Sequence, residues 1–135
     1  MILLADSGST KVDWRAIKDD GTVVAINTVG VNPVFVAKDK IIEIFKNELV
    51  PVIGNGVDEV YFYGAGVTEL QYDFMRGVLR KVFTNAGEVF IAMDLLASAR
   101  ALLGKEAGFA AILGTGTNSC LYDGTDITLN IDSLG

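Results

Sequence analysis

The residues best suited to chemistry lie in two short turns rich in glycine, serine and threonine. The first turn, residues 6–11, reads Asp-Ser-Gly-Ser-Thr-Lys, and the second turn, residues 114–119, reads Gly-Thr-Gly-Thr-Asn-Ser. Glycine lets backbone N–H groups approach an anion closely, and the hydroxyl groups add further donors. Each turn predicts a phosphate-binding loop, although an ordinary hairpin turn of small residues explains either one equally well.

Asp6 opens the first turn, where its carboxylate would repel a phosphate unless a cation lay between them. Mg²⁺ prefers oxygen ligands and usually keeps several of its waters. Asp6 is therefore a candidate ligand for Mg²⁺. Neither turn matches the Walker A sequence GxxxxGK[ST] or the Rossmann sequence GxGxxG, so these two nucleotide-binding motifs are absent from the sequence.

Asp94 is the third candidate, because it follows a predicted strand over residues 88–92 and begins a predicted helix over residues 94–103. The helix dipole favours an ionised carboxylate at this end. Such a carboxylate beside a phosphate site is suited to accept a hydroxyl proton during phosphoryl transfer. The alternative interpretation is that Asp94 only caps the helix.

The pattern of apolar residues predicts the elements that must position these side chains. The predicted strands span residues 1–5, 12–16, 22–29, 57–63, 88–92, 109–113, 119–122 and 126–131. The predicted helices cover residues 38–49, an apolar stripe between residues 70 and 83, and residues 94–103. The order is βββαβαβα followed by βββ, which predicts an α/β fold.

Capping and helix-breaking residues predict where the helices begin and end. Pro51 should stop the first helix, Thr68 should cap the start of the second, and Gly87 should lie just past its end. Leu70 should be the first residue of the buried stripe. The third helix lacks a polar face, so it should be largely buried.

The last three strands repeat the pattern of the first three. This repetition predicts a first domain over residues 1–104. Residues 105–135 are predicted to be the beginning of a second, related domain. Because no helix follows to cover the last strands, we expect these 135 residues to be the front part of a longer protein.

The composition excludes several kinds of site. The chain contains no histidine and a single cysteine, Cys120, which removes Ser-His-Asp and Cys-His catalysis and an internal disulfide. A net charge of −6 without a cluster of basic residues argues against binding to nucleic acid or to an anionic membrane. A lone cysteine fits a reducing compartment, and no apolar run approaches the roughly 20 residues of a membrane span, so we expect a cytoplasmic protein.

Three motifs together resemble the actin/sugar-kinase/chaperone ATPase superfamily: DSGSTKVDW from residue 6, MDLLASA from residue 93 and LGTGTNS from residue 113. Within it, the chain is most similar to the N-acetylglucosamine kinases and to the activator-type ATPases of benzoyl-CoA reductase and 2-hydroxyglutaryl-CoA dehydratase. The resemblance covers the whole chain in order and spacing. It implies a ribonuclease H-like fold in which two related domains enclose ATP, Mg²⁺ and a sugar.

The resemblance also implies residue roles. Asp6 would lie near Mg²⁺, and Asp94 would be the base that accepts the proton of the sugar 6-hydroxyl. The implied nucleotide-binding residues are Gly8, Ser9, Thr10, Lys11, Gly114, Thr115 and Gly116. The implied sugar-binding residues are Asn32, Asp94, Thr117 and Asn118. Turn geometry explains Asn32 as an alternative, and simple exposure on a strand explains Lys11 equally well.

The function implied by the resemblance is transfer of phosphate from ATP to an amino sugar, N-acetylglucosamine, by a homodimer. One alternative is an activator ATPase, which needs paired cysteines for a shared iron–sulfur cluster, so a lone Cys120 argues against it. Another is a sugar sensor without catalysis, which would not need Asp94. The adenosine-binding motif would follow residue 135, so we expect this chain alone to have little activity.

Overall fold

The computed structural model describes residues 1–65, 67–113 and 117–131. The chain divides into two compact units, Met1–Ala92 and Met93–Gly135. The strands are β1 (Ile2–Ser7), β2 (Lys11–Ile17), β3 (Val23–Val29), β4 (Glu59–Gly64), β5 (Glu88–Met93), β6 (Gly108–Leu113), β7 (Thr117–Tyr122) and β8 (Ile127–Ile131). The helices are α1 (Lys38–Glu48), α2 (Val50–Ile53), α3 (Glu69–Val82) and α4 (Asp94–Leu103). The predicted α/β fold is confirmed.

The first unit is built on a five-stranded sheet with the strand order β3-β2-β1-β4-β5. β1 pairs antiparallel with β2, and β2 pairs antiparallel with β3, so the three predicted N-terminal strands form an antiparallel meander. β4 then pairs parallel with β1 on its other side. The buried side chains of Leu3 and Ala5 alternate with more exposed neighbours, so one face of the sheet carries the core.

Trp14 lies at the centre of that core and is fully buried. The ring of Phe45 from α1 meets it edge-on at 5.1 Å, and that of Phe62 from β4 lies 5.9 Å away. The indole N–H donates to Oγ1 of Thr28 at 2.9 Å, so its polar group is satisfied inside the core. Trp14 therefore joins β3, β4 and α1 within the core of the first unit.

The path after α1 differs from the prediction. α1 ends before Pro51, as expected, but a short helix, α2, follows at once and contains Pro51 in its first turn. Proline is tolerated there because the first N–H groups of a helix have no acceptor within that helix.

Two predictions about α3 are wrong, and one is confirmed. Thr68 does cap the helix, and its backbone N–H donates to Oε1 of Gln71 at 3.2 Å. Leu70 is 89% exposed, because at about 100° per residue it lies about 140° around the helix from buried Met75. Gly87 does not follow the helix end, since α3 stops at Val82; its N–H donates instead to the carbonyl of Asp58 at 2.8 Å.

The second unit holds α4 and a three-stranded antiparallel sheet with the order β6-β7-β8. α4 has the predicted bounds and packs on β6 and β7, with Leu95, Leu96 and Ala99 buried. Leu102 is exposed, so the helix is less buried than its composition predicts. Within the described ranges, no helix is both long and apolar enough to cross a membrane.

Candidate functional site

The first turn joins β1 to β2 as a tight hairpin. Its last paired residues are Ser7 and Val12, and the N–H of Gly8 donates to the carbonyl of Lys11 at 2.9 Å. Ser9 and Thr10 are exposed at its tip. A Cβ on Gly8 would lie 3.5 Å from the carbonyl oxygen of Lys11, an ordinary contact, so the fold itself does not require glycine here. Gly8 leaves free the space that a Cβ would take beside the exposed tip of the turn, while its N–H is hydrogen-bonded to Lys11.

Two carboxylates lie beside this turn, because Asp6 on β1 is the cross-strand partner of Asp13 on β2. Lys11 forms an ion pair with Asp13, with Nζ 3.3 Å from Oδ2. Partial burial of the carboxyl group, followed by the like charge of Asp13, raises the pKa of Asp6 above its ordinary value, and Lys11 opposes the rise. The pair therefore carries negative charge that Lys11 offsets only in part.

Asp13 was not among the candidate residues predicted from the sequence. The hairpin register relates Asp13 to Asp6, because a turn that pairs Ser7 with Val12 also pairs residue 6 with residue 13.

Three segments meet at Ser7, whose side chain is buried. Its hydroxyl donates to the carbonyl of Val31 at 3.5 Å, and its own carbonyl accepts the N–H of Ala65 at 2.7 Å. A further bond joins the N–H of Gly30 to the carbonyl of Thr10 at 3.0 Å. The first turn thus contacts both the segment that follows β3 and the one that follows β4.

Gly30 is a second residue that was not predicted from the sequence. A Cβ at this position would lie 2.5 Å from the carbonyl oxygen of Ser9 and 2.7 Å from the carbonyl carbon of Thr10. No side chain fits there, so the close approach of the two backbones requires glycine. The available signal was a glycine placed two residues before Asn32.

Asn32 shapes its own turn. Its Oδ1 accepts the N–H of Val34 at 2.9 Å, and its carbonyl accepts the N–H groups of Phe35 and Val36 at 3.0 Å and 2.9 Å. The turn-geometry interpretation therefore accounts for the side-chain oxygen. The amide NH₂ group is the half of the side chain that can donate to a ligand.

The segment that follows β4 has a packing explanation. A Cβ on Gly64 would lie 2.6 Å from Cγ2 of Val67, so this glycine makes room for a buried side chain. This packing accounts for Gly64, and Gly66 lies outside the described residues.

In the second unit, Asp94 is the first residue of α4 and is half-buried. Its Oδ1 accepts the N–H of Leu95 at 2.9 Å. The capping position belongs to Met93, so the interpretation of Asp94 as the N-cap residue is wrong. The carboxylate nevertheless lies at the positive end of the helix dipole, which favours its charged form.

The second turn is described only in part. Gly114, Thr115 and Gly116 lie outside the described residues. The backbone of Thr117 pairs with Leu113, and that of Asn118 with Ile112, at the start of β7. The roles implied for these five residues stay predictions.

The donor set of the first unit fits Mg²⁺. In the described part of the chain, no three acidic, histidine or cysteine side chains cluster into a complete metal site. Mg²⁺ needs no such cage, since it is commonly held by one or two carboxylates together with water and substrate phosphates. Asp6 and Asp13 supply two carboxylates beside a turn with exposed hydroxyl groups.

No family model matches the sequence, and no curated protein matches it. Solved structures do. One is a provisionally assigned N-acetylglucosamine kinase from Porphyromonas gingivalis, which is 40% identical to this chain with a TM-score of 0.93. The match covers 100% of this chain and 49% of the kinase chain. The ethanolamine utilization protein EutJ from Carboxydothermus hydrogenoformans shares 15% identity with a TM-score of 0.66, over 96% of this chain and 50% of its own.

The ROK hexokinase from Thermus thermophilus shares 17% identity with a TM-score of 0.59, over 93% of this chain and 48% of its own. At their low identities, EutJ and the hexokinase speak for the fold alone. The chain spans about half the length of each of these three structures. It has the α/β fold of the actin-like ATPases and sugar kinases.

Proposed function

We propose that this chain belongs to an ATP-dependent sugar kinase and contributes the phosphate-binding turn and the catalytic base. The observation that carries the proposal is the 40% identity, along the entire chain, to the provisionally assigned N-acetylglucosamine kinase. The proposed substrate is an amino sugar, N-acetylglucosamine, phosphorylated on its 6-hydroxyl. We also propose a cytoplasmic homodimer, as the sequence predicts.

The first turn is suited to hold the nucleotide phosphates. Its exposed Ser9 and Thr10 hydroxyls would donate to phosphate oxygens, the missing side chain at Gly8 leaves room for a phosphate to approach them, and Lys11 adds positive charge. Asp6 and Asp13 would hold Mg²⁺. When bound, that ion neutralises the charge that develops on the transferred phosphoryl group.

Asp94 is proposed to accept the proton of the attacking hydroxyl. A base in this role must be ionised before the reaction, and the first position of α4 favours the ionised form. Asn32 would donate from its amide to a sugar hydroxyl. Thr115 is proposed to contact the nucleotide, and Thr117 and Asn118 the sugar.

The complete kinase is proposed to include more than these 135 residues, because the three compared structures are about twice as long. The adenosine-binding residues would lie in that further part. The chain alone should therefore show turnover below about 1 s⁻¹, the low end for kinases.

The activator-type alternative fits the second unit less well. Cys120 is fully buried, and burial raises the pKa of its thiol. A cluster ligand must be a thiolate that faces its metal, whereas Cys120 has the environment of a small apolar side chain.

The test is an assay of the complete protein with ATP, Mg²⁺ and a panel of N-acetylglucosamine, glucosamine, glucose and no sugar. The expected product is N-acetylglucosamine 6-phosphate, identified by phosphorus NMR, with little ATP consumed in the absence of sugar. ATP hydrolysis that does not depend on sugar would favour the activator. Sugar binding without any turnover would favour the sensor.

A further inference from the structure

We propose that Gly30 is a positioning residue that sets the distance between Asn32 and the first turn. The inference rests on the proposed function, in which Asn32 meets the sugar and the first turn meets the phosphates. It assigns to Gly30 a part in alignment of the two substrates, although it contacts neither of them.

Two hydrogen bonds attach the segment after β3 to the first turn. The N–H of Gly30 donates to the carbonyl of Thr10 at 3.0 Å, and the hydroxyl of Ser7 donates to the carbonyl of Val31 at 3.5 Å. Ser7 and Val31 are both buried, so the second attachment lies inside the core. The base of the segment is therefore fixed to the turn at two successive residues.

The segment carries this attachment directly to Asn32. Val31 anchors it in the core, and the next turn is closed by three bonds to Asn32 from Val34, Phe35 and Val36. Such a short, internally bonded turn has little freedom to absorb a shift at its base. A displacement at Gly30 will therefore move Asn32, only two residues away.

The contact at Gly30 is backbone against backbone. A Cβ would lie 2.5 Å from the carbonyl oxygen of Ser9 and 2.7 Å from carbonyl carbons of Ser9 and Thr10. No flexible side chain can give way, so the first turn and the Asn32 segment must separate, by about 1 Å if an ordinary contact is to be restored. A displacement of that size between reacting groups can cost about 100-fold in rate.

The chain offers a matched control. At Gly56, no heavy atom lies within 4 Å of the position that a Cβ would take, so alanine fits there without a clash. The variants Gly30→Ala and Gly56→Ala make the same chemical change with opposite steric consequences. Ser7→Ala loosens the same attachment by a second route, since it removes the donor to Val31.

The experiment measures kcat in the complete protein, and the dissociation constants of sugar and of ATP·Mg²⁺ each measured alone. For Gly30→Ala we expect kcat to fall by about 100-fold, while each separate dissociation constant changes by less than about threefold. Gly56→Ala should match the parent, and Ser7→Ala should lose kcat by about tenfold with the same pattern. This split between turnover and binding separates positioning from general destabilisation.

Retention of kcat within about threefold of the parent in a folded Gly30→Ala protein would overturn the inference, as would loss of binding in proportion to turnover. If Gly30→Ala does not fold, an unchanged kcat in Ser7→Ala overturns it instead. If the parent shows no sugar-dependent turnover, the proposed function fails, and backbone amide exchange decides the inference. Gly30→Ala must then speed exchange in both residues 8–11 and 32–36 relative to Gly56→Ala; faster exchange in only one segment contradicts it.

Discussion

Asp6 and Asp13 are direct cross-strand partners at the end of the first hairpin, so two carboxylates face one another beside a turn that is open to a ligand. Like charges in this relationship disfavour the folded state when no cation lies between them. The arrangement is therefore costly for the protein by itself and suited to a divalent cation. Removal of one of the two carboxylates should therefore change fold stability and cation binding in opposite directions.

Replacement of Asp6 by asparagine should stabilise the fold at neutral pH and weaken Mg²⁺-dependent nucleotide binding. The pKa of Asp6 is raised in the folded state, chiefly by partial burial, so ionisation favours the unfolded chain. Its contribution to stability is present at acidic pH and is lost as the pH rises through the folded-state pKa. The melting temperature of Asp6→Asn should thus exceed that of the parent at pH 7, and the difference should shrink near pH 4.

Asp20→Asn is the control for the expected direction of the change in melting temperature. Hydrogen bonds from Thr22 lower the pKa of Asp20, so its ionised form favours the folded state and the substitution should not raise the melting temperature at pH 7. A lower melting temperature for Asp6→Asn at pH 7 would contradict the account of the carboxylate pair.

Asp94→Asn should lower turnover of the complete protein by about 10²–10⁴-fold, the usual effect of losing a general base. The asparagine oxygen can still accept the N–H of Leu95, so the free energy of unfolding should fall by less than about 1 kcal/mol. Asp39→Asn makes the same change in the first turn of α1 and should leave turnover unchanged. Turnover of Asp94→Asn within tenfold of the parent would leave Asp94 a purely structural residue.

Gly8→Ala should leave the fold intact and weaken nucleotide binding. Its Cβ meets only an ordinary contact at 3.5 Å, whereas it fills space that a phosphate would need in order to reach the exposed Ser9 and Thr10. Loss of one hydrogen bond to a charged group corresponds to about tenfold or more in affinity. Titration calorimetry with ATP·Mg²⁺ and a thermal melt, with Gly56→Ala as the control, would test this. Unchanged affinity would place the phosphate elsewhere.

Thr28→Val should destabilise the first unit by about 1–3 kcal/mol, because the buried indole N–H of Trp14 loses its acceptor. Thr28→Ser keeps the hydroxyl group and should lose much less. The free energy of unfolding in urea is the quantity to compare. Equal losses for the two substitutions would contradict this prediction, because they would show that the methyl group of Thr28 contributes as much as the hydrogen bond.

The 135-residue chain should associate with itself through β7 and β8. Leu121 and Leu129 are cross-strand partners and are 43% and 51% exposed, so they form one apolar patch. Light scattering over a tenfold concentration range should show a rising mass, and substitution of both leucines by glutamine should abolish the rise. Leu70→Gln, on an exposed residue of α3, is the control; a constant mass for the parent would contradict the prediction.

Local pattern was enough for the elements and for part of the candidate site. Alternation in the first three strands, the capping residue Thr68 and the start of α4 at Asp94 each depend on residues close in sequence, and the structure has them as predicted. The helical spacing of apolar residues wrongly predicted that Leu70 is buried. Spacing alone does not show which side of a helix packs against the rest of the protein.

Short-range sequence determined that this chain is an α/β protein with a tight turn of glycine, serine and threonine after its first strand. Tertiary structure alone decided that Asp13 faces Asp6 and that Gly30 lies against Ser9. The first relationship depends on strand register and the second on two loops about 20 residues apart that approach within van der Waals distance. Neither leaves a periodic signal, because such contacts are selected by the packing of the whole sheet and not by the residues on either side.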